Sequence, residues 1–312
     1  MMKAIVYNRK LPEKLVLREL EEPVPGKGEV LLRVRACSIN AADYRSMKLG
    51  IPAKHGVYGA DMAGTVVAVG EEVTRFSVGD HVMGDLTLSR FGGFAEYTTA
   101  PEAVLAKKPE DMPFETAATI SLAGVTALQA VRLGGEIQPC QRVLIFGAGG
   151  GVGTFAIQLS KFFGAEVTAV CGAQNLEQSL TLGADRAMDY RREDCLDGRV
   201  KYDRILAING ERALRQYYSA LKPGGIAVIV GGSLKQVFGA MAFGFLYAGD
   251  GRQIRLLAAK TSAADAAYLA ELVERGRIKP VIERIVPLAK ITEAFAYVSA
   301  GHAKGKVVLV MP

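Results

Sequence analysis

The sequence predicts an α/β protein of two domains, in which a barrel-like antiparallel domain precedes a doubly wound parallel sheet. The 312 residues amount to about twice the usual domain length of roughly 150 residues. Up to about residue 112 the chain shows short β-rich runs separated by glycine and proline, whereas helix and strand patterns alternate after Pro113. Half of the residues are apolar and 22% are charged, which is the balance of a globular protein.

Five β-rich runs predict the strands of the first domain. Each run is bounded by turn residues, chiefly glycine and proline. A single helix is predicted among them, at residues 41–49. The strands are predicted at residues 4–7, 29–36, 62–69, 81–84 and 95–99.

The second domain is predicted from one or two helices at residues 115–133 and from six strands with helical patterns between most of them. A further helix at 263–275 and a strand at 306–311 are expected to return to the first domain. The first domain would then comprise residues 1–121 and 262–312, and the second residues 122–261. The six strands are predicted at residues 143–147, 166–171, 187–190, 202–208, 225–230 and 254–259.

The composition argues against several classes of protein. The 38 basic and 32 acidic residues give a formal charge of +6, but no run of Lys or Arg forms a nucleic-acid-binding arm. The apolar stretch 237–249 is interrupted by glycine and is too short for a membrane span. No signal-peptide pattern follows the first residues, so we expect a cytoplasmic protein without membrane or nucleic-acid partners. The four cysteines form no CxxC pair, which argues against a disulfide framework.

A glycine cluster carries the main functional signal. The segment RVLIFGAGGGVG at 142–153 is an apolar strand pattern that runs into glycines, and residues 154–163 follow with helical periodicity. Glycines allow a tight turn and a close approach of the backbone to a pyrophosphate, whose charge meets the positive end of the helix. A purely structural turn is the alternative, but the order of strand, turn and helix favours a dinucleotide cofactor. The residues that we predict to bind it here are Gly150, Gly151, Val152 and Gly153.

The residues after the next predicted strand favour NADPH over NADH. NAD enzymes usually place an acidic residue there to hold the ribose 2′-hydroxyl. This chain has no acid at that point, and Gly172 and Gln174 leave room for a 2′-phosphate. Tyr190 and Arg191 are candidates to bind that phosphate, because a guanidinium suits its geometry. The alternative, in which Arg191 and Arg192 are solvated surface charges, stays open.

Ordered landmarks along essentially the whole chain resemble the medium-chain dehydrogenase/reductase superfamily and, within it, the quinone oxidoreductase (zeta-crystallin-like) branch. The resemblance implies a GroES-like barrel substrate domain, a Rossmann cofactor domain and hydride transfer from NAD(P)H. Besides the glycine cluster, the landmarks are SINAAD at 38–43, GADMAG at 59–64, VG at 69–70, VGDHV at 78–82, GFAEY at 93–97, LAGVTALQ at 122–129, LGAD at 182–185, LKPGG at 221–225 and GHAKGK at 301–306.

The same landmarks predict that the protein binds no zinc. The positions of the zinc ligands of related enzymes correspond to Asn40, Ala60 and Leu122, and that of a following glutamate corresponds to Asp61. Two of the three ligand positions carry side chains that do not coordinate metals, whereas a catalytic zinc needs three protein donors. We expect the three histidines to be isolated surface or structural residues. They are His55, His81 and His302.

The resemblance also implies roles for individual residues. Asn40 is expected near the nicotinamide or the substrate oxygen, and Thr126 near the nicotinamide face. Tyr44 and Tyr58 are candidate donors in the substrate pocket, with ordinary packing as an equally good explanation. Asp43 is expected to brace its own loop. The residues expected beside the bound cofactor are Gly231, Gly232 and Ser233.

Without zinc, an activated acceptor is the expected substrate, so the resemblance implies reduction of quinones or of α,β-unsaturated carbonyls by NADPH, with NADH as the other cofactor. An enoyl-thioester reductase, a non-catalytic NADPH-binding protein and a zinc alcohol dehydrogenase with displaced ligands stay open as alternatives. The apolar stretch 238–247 is expected to line the substrate site or a subunit interface. The resemblance implies a homodimer formed through the sheet edge near residues 254–259.

Overall fold

The computed structural model describes residues 1–10, 14–301 and 303–312. His302 lies outside these residues. The chain forms two compact units, of which the first comprises Met1–Val125, Thr261–Gly276 and Pro280–Pro312, and the second Thr126–Lys260 and Arg277–Lys279. The domain limits that we predict at 121/122 and 261/262 stay a prediction.

The described residues form short strands in the first part of the chain and alternating helices and strands after it. The strands, in chain order, are β1 (Met2–Tyr7), β2 (Leu15–Leu20), β3 (Glu29–Ser38), β4 (Asp61–Val69), β5 (His81–Asp85), β6 (Tyr97–Pro101), β7 (Leu105–Lys107), β8 (Arg142–Phe146), β9 (Glu166–Cys171), β10 (Arg186–Asp189), β11 (Tyr202–Ala207), β12 (Leu221–Ile229), β13 (Ala248–Gly249), β14 (Arg252–Leu256), β15 (Ile282–Pro287) and β16 (Lys306–Val310). The α-helices are α1 (Ala41–Leu49), α2 (Phe114–Ala117), α3 (Val125–Arg132), α4 (Gly151–Phe162), α5 (Leu176–Thr181), α6 (Leu214–Ala220), α7 (Leu234–Phe243), α8 (Ala263–Glu274) and α9 (Ile291–Ser299).

The first unit is built on a mainly antiparallel sheet. Its strand order is β15-β16-β3-β4-β5-β7, with β6 also paired to β3, while β1 and β2 form a separate pair. In β3 the side chains of Val30, Leu32 and Val34 are buried and those of Arg33 and Arg35 are exposed, as the two-residue period of a strand requires. The last strand, β16, pairs antiparallel with β3, so the C-terminal segment brings its side chains to those of residues 36–38.

The second unit is a doubly wound parallel sheet. Its strand order is β10-β9-β8-β11-β12-β14, and the two-residue strand β13 pairs antiparallel with β14 at one edge. Helix α4 buries Phe155, Ala156 and Leu159, which follow the helical period. Because the main strands are parallel, the loops that follow their carboxyl ends gather along one edge. The predicted α/β fold class is confirmed by the two sheets.

Several predicted elements need correction. The helix after the glycine cluster begins at Gly151 and not at residue 154, because its first turn is made by the glycines themselves. The strand predicted at 254–259 is β14 at Arg252–Leu256, and β13 covers the sheet edge that we assigned to it. Strands β2, β7 and β15 and helix α9 were not predicted, since they are short or carry little alternation.

One helical stretch meets the length and hydropathy of a membrane span. It runs from Phe114 to Arg132 through α2, a wide π-helical turn and α3. Of its most apolar window 67% is buried inside the protein. The core helix of a globular domain satisfies the same criterion, so the stretch is weak evidence for a membrane segment.

Candidate active site

The glycine cluster forms the turn between β8 and α4. Gly147 adopts a left-handed conformation, with φ of 73°, at the point where the chain leaves β8. Gly150 is the N-cap of α4 in an extended conformation, and no side chain caps the helix. A helix leaves the N–H groups of its first turn without partners inside the helix. The N–H groups of Gly151, Val152 and Gly153 therefore form a positive helix end that suits an anion.

Each glycine in this turn serves a different purpose. A Cβ on Gly153 would lie 2.6 Å from both the Cα and the carbonyl oxygen of Ala148, so only glycine allows α4 to pack this closely on the turn. A Cβ on Gly149 would collide with the side chain of Asn175. A Cβ on Gly150, in contrast, would meet nothing closer than the Gly147 oxygen at 3.7 Å. The space above Gly150 is open, and a dinucleotide pyrophosphate fits the turn there.

The segment after β9 contains buried amides where NAD enzymes carry an acid. Gly172 is buried and Gln174 is exposed in the short turn that follows the strand. The amide oxygen Oδ1 of Asn175 and the Nε2 of Gln178 are buried without a hydrogen-bond partner among the described residues. Such groups are costly to leave unpaired, which makes them candidate contacts for a bound polar molecule. Neither residue was predicted from the sequence, although Asn175 follows Gln174 directly.

Tyr190 and Arg191 follow β10 at the same edge of the sheet. Both are exposed, and the guanidinium carbon of Arg191 lies 5.3 Å from the centre of the Tyr190 ring. The Arg191 backbone N–H donates to the carboxylate of Asp189 at 3.1 Å, which anchors the start of the loop. Arg192 is also largely exposed, and its Nε lies 3.9 Å from Asp189 Oδ2. Arg191, with its guanidinium against the Tyr190 ring, and Arg192, which is surrounded by solvent, are both able to bind a phosphate at this strand end.

The loop after β12 contains the three residues expected beside the cofactor. Gly231 is buried, and Gly232 has a positive φ of 115° that favours glycine. Ser233 caps α7, because its Oγ accepts a hydrogen bond from the Gln236 N–H at 3.3 Å. Gln236 Nε2 donates to Tyr217 Oη at 3.3 Å. Gln236 was not predicted, and its buried Oε1 lacks a partner among the residues described.

The structure thus collects most of the predicted cofactor residues at one edge of the second unit. The loops after β8, β9, β10 and β12 all start at the carboxyl ends of parallel strands. Thr126 is a half-buried residue of α3 in the same unit. Asn40, Tyr44 and Tyr58 belong to the first unit. Which of these residues bind cofactor or substrate stays a prediction.

The first unit contains a buried polar cluster around Asn40. The side-chain Nδ2 of Asn40 donates to the carbonyl oxygen of Ser38 at 3.0 Å and to its Oγ at 3.2 Å. Ser38 Oγ in turn donates to Asp61 Oδ2 at 2.9 Å. The ammonium group of Lys306 donates to Asn40 Oδ1 and lies 3.6 Å from Asp61 Oδ2. The four side chains are at least nine-tenths buried, so the cluster forms an internal network.

Asp43 holds the backbone next to this cluster. Its Oδ2 accepts the Asn40 N–H at 2.8 Å at the start of α1, and its Oδ1 accepts the N–H groups of Gly59 and Ala60 at 3.2 and 3.1 Å. The prediction that Asp43 braces its own loop is confirmed, and the same carboxylate also ties that loop to the segment before β4.

Burial governs the protonation of these groups. It raises the pKa of Asp43 and of Asp61 to about 7, because desolvation outweighs the hydrogen bonds and the Lys306 ammonium that favour each carboxylate. Burial also lowers the pKa of Lys306, against the opposing effect of Asp61 and Asp43. It raises the pKa of the Cys37 thiol well above its ordinary value, so Cys37 is an unreactive thiol at neutral pH.

The two tyrosines proposed as pocket donors both make packing contacts. Tyr58 is 4% exposed, its hydroxyl donates to the Ile51 carbonyl at 2.6 Å, and burial raises its pKa. The half-buried ring of Tyr44 packs edge-on against Phe295, with the ring centres 6.3 Å apart. The proton of Tyr58 is thus already donated within the unit, while a catalytic role of either tyrosine stays a prediction.

The residues at the expected zinc positions do not fit a zinc ion. Ala60 and Leu122 have no donor atom, and Asn40 Oδ1 receives the Lys306 ammonium. No group of three or more His, Cys, Asp or Glu side chains within the described ranges is placed to hold a metal ion. His55 and His81 are exposed, as expected for isolated surface histidines.

Two family models match the chain. Residues 26–110 match the alcohol dehydrogenase GroES-like domain, and residues 182–309 match a domain described as zinc-binding dehydrogenase. The first match covers most of the mainly antiparallel sheet and confirms the GroES-like nature of the first unit. The second covers the later part of the parallel sheet and much of the C-terminal segment.

Similar proteins align along nearly the whole chain. The chloroplastic quinone-oxidoreductase QR1 of Triphysaria versicolor is 32% identical over 99% of this chain and 98% of its own. The chloroplastic NADPH-dependent alkenal/one oxidoreductase of Arabidopsis thaliana is 31% identical over 99% of this chain and 79% of its own. The solved quinone oxidoreductase of Coxiella burnetii superposes with a TM-score of 0.89 and 29% identity, covering 100% and 99% of the two chains. The chain therefore belongs to the quinone oxidoreductase branch of the medium-chain dehydrogenase/reductase superfamily, a family of NAD(P)H-dependent oxidoreductases.

Proposed function

We propose that the protein is a zinc-independent reductase that uses NADPH to reduce quinones or the C=C bond of α,β-unsaturated carbonyls. The observation that carries the proposal is the turn after β8, where an uncapped helix end lies beneath the open space at Gly150. This turn suits a pyrophosphate, and the strand edge around it holds buried polar atoms that lack partners among the described residues.

The preference for NADPH rests on the segments after β9 and β10. A carboxylate after β9 would repel a 2′-phosphate, and Gly172, Gln174 and Asn175 present none. Arg191 supplies a positive charge at the end of the neighbouring strand, and Asn175 Oδ1 supplies a buried acceptor. The Asn175 amide oxygen suits a hydroxyl or an amine of the adenosine, whereas the Arg191 guanidinium suits its 2′-phosphate.

The substrate class is supported by the activities for which two similar proteins are named. One relative is named for quinones and another for alkenals and alkenones. Both kinds of acceptor are activated carbonyl compounds, which need less polarisation by the enzyme than a simple ketone. An enoyl-thioester reductase is the second candidate, because such a substrate also presents a conjugated C=C bond.

Zinc independence is supported by the cluster around Asn40. The Lys306 ammonium already supplies the positive charge that faces Asn40 Oδ1 and Asp61 Oδ2. The bound cofactor supplies a hydride to the acceptor. In the proposed reaction the chain's own residues orient the acceptor oxygen, with Asn40 closest to it, and hold the surrounding charges fixed. Solvent supplies the proton that completes the reduction.

We also propose that the protein is a homodimer and cytoplasmic. Helix α7 and the turn after it expose Phe238, Met241, Phe243, Phe245 and Leu246, next to the strand edge formed by β13. An apolar surface of this extent suits a second copy of the chain. The relatives named chloroplastic and mitochondrial occupy other compartments, so fractionation of the native cells is the direct test of location.

The proposed function is tested by following NADPH and NADH oxidation against a panel of acceptors. The panel contains a benzoquinone, a naphthoquinone, a 2-alkenal, an enoyl thioester and a saturated ketone, each with and without a chelator. We expect rapid NADPH oxidation with the quinones or the alkenal, slower oxidation of NADH, and no effect of the chelator. The Arg191→Ala variant tests the cofactor preference directly, because it removes one exposed charge without disturbing the core.

Each contrary result points to a different reading. Turnover of only the enoyl thioester favours the second candidate. Chelator-sensitive reduction of the saturated ketone excludes zinc independence, and equal rates with both cofactors exclude the NADPH preference. Tight NADPH binding without turnover of any acceptor refutes the proposed substrate classes.

A further inference from the structure

A lysine from the last strand lies inside the polar cluster of the first unit. Lys306 is the first residue of β16, and only 3% of it is exposed. Its ammonium group donates to Asn40 Oδ1 and lies 3.6 Å from Asp61 Oδ2. Ordering and desolvating a lysine is costly, so a buried ammonium of this kind needs specific partners. These contacts connect the C-terminal strand to the residue that the proposed function places nearest the acceptor.

The contacts with Lys306 and with Ser38 together determine how the Asn40 amide is oriented. An amide has one acceptor end and one donor end, and an ammonium group pairs only with the acceptor end. With Oδ1 held by Lys306, the donor end must point the other way, where Nδ2 meets the carbonyl and hydroxyl oxygens of Ser38. A flipped amide would also direct Oδ1 at the Ser38 carbonyl oxygen, which can only accept, so Lys306 and Ser38 fix the two ends of the amide together.

We propose that Lys306 is a positioning residue of the reductase, whose ammonium group, charge-balanced by Asp61, holds the Asn40 amide in the orientation and place that hydride transfer requires. This inference rests on the proposed function, since Asn40 acts on the acceptor only if the protein is such a reductase. Lys306 itself acts through Asn40.

Asp61 has a separate task in this arrangement. Its Oδ2 accepts the Ser38 hydroxyl and faces Lys306, whereas its buried Oδ1 has no hydrogen-bond partner among the described residues. The carboxylate therefore compensates the ammonium charge and fixes the Ser38 hydroxyl on the other side of Asn40. Removing Lys306 alone leaves Asp61 as a buried acid without a counter-charge, which destabilises a protein strongly.

This separation allows a test in which stability and catalysis respond differently. The variants are Lys306→Met, Asp61→Asn and the double variant carrying both. Methionine matches the length of lysine without its charge, and the double variant contains neither buried charge. Lys108→Met is the matched control, because Lys108 is a buried lysine too, with 6% of it exposed. Its Nζ donates to the carbonyls of Pro109, Glu110 and Met112. Thermal unfolding, kcat and KM for NADPH are measured for each.

We expect Lys306→Met to lower the unfolding temperature and the double variant to recover much of that loss. The kcat of the double variant is expected to stay about 10- to 100-fold below that of the wild-type enzyme, the cost of a misplaced group, with an unchanged KM for NADPH. Lys108→Met is expected to lower the unfolding temperature while keeping the wild-type kcat.

Two outcomes would overturn the inference, and they are distinguishable. If the wild-type enzyme reduces a quinone or enone and the recovered double variant does so at the same kcat, Lys306 only balances charge, and the proposed function stands. If the wild-type enzyme reduces none of the acceptors, the proposed function fails, and the positioning role fails with it.

Discussion

Alanine substitutions at Gly150 and Gly153 separate two roles of the glycine turn, which are the close packing of α4 and the binding of the cofactor. The Gly153→Ala methyl would lie 2.6 Å from two backbone atoms of Ala148, far inside van der Waals contact of about 3.5 Å. The backbone must shift to relieve this overlap, which typically costs about 1–3 kcal/mol of unfolding free energy. We expect Gly153→Ala to be less stable and to bind NADPH more weakly, because the same shift displaces the N–H groups of the first turn of α4.

Gly150→Ala is expected to affect binding alone. Gly150 has φ of −88° and ψ of 177°, which alanine adopts readily, and the new methyl would have open space around it. Alanine is a poorer helix cap than glycine, which lowers the free energy of unfolding by about 0.5 kcal/mol. It also restricts the unfolded chain, which raises the free energy of unfolding by about 0.5 kcal/mol, so stability changes little. The methyl would occupy the space of the pyrophosphate, and we expect the Kd for NADPH to rise about 10- to 100-fold.

Urea unfolding and calorimetric titration with NADPH and NADH measure both effects. Gly239→Ala is the matched control, because Gly239 lies within α7 with no atom within 4 Å of its added methyl. It should gain up to about 1 kcal/mol of stability from helix propensity and keep its affinity for NADPH. A Gly150→Ala variant with wild-type affinity would show that the cofactor does not pass over Gly150. A Gly153→Ala variant with wild-type stability would refute the packing argument.

Three further predictions follow from single groups. Arg191→Ala should raise the Kd for NADPH about tenfold and leave that for NADH unchanged, as one charged hydrogen bond to a phosphate is lost; equal effects on both cofactors in the same titrations would contradict a 2′-phosphate contact. Arg204→Met should lower the free energy of unfolding by about 1–3 kcal/mol, because Arg204 Nη1 donates at 2.9 and 2.8 Å to the Val131 and Leu133 carbonyls at the end of α3. Arg199→Met is the control: the Arg199 side chain is 87% exposed, and urea unfolding should show almost no loss of stability. Burial raises the pKa of Asp61 from 3.8 to about 7, so the folded state retains a proton that the unfolded chain releases, and stability should fall as pH rises between those values. Urea midpoints across this window should decline less steeply for Asp61→Asn, and an unchanged slope would argue against a raised pKa.

The parts of the fold that depend on local pattern could be predicted from the sequence. Helix α1 and strand β9 occur at the predicted residues, because each has a clear period and a glycine or proline boundary. Strand β2 has a single buried residue, Leu15, among its six, so its sequence lacks the alternation that predicts a strand. Strand β13 has two residues and exists only because it pairs with β14. Such elements are decided by tertiary pairing, which one sequence does not display.

The same distinction between local pattern and tertiary pairing decides which parts of the candidate site could be predicted. The glycine turn is continuous in the chain, and its chemistry is visible in the sequence because glycines between a strand and a helix serve few other purposes. The cluster around Asn40 is different, since Lys306 and Asn40 are 266 residues apart and meet only because β16 pairs with β3. In the sequence, Lys306 is one polar residue before an apolar run, which is the ordinary pattern at the start of a strand. Its burial turns it into the counter-charge of Asp61, and that burial follows from strand pairing. A charged residue at the end of a core strand therefore becomes informative once its pairing partner is known to carry buried polar groups at the matching register.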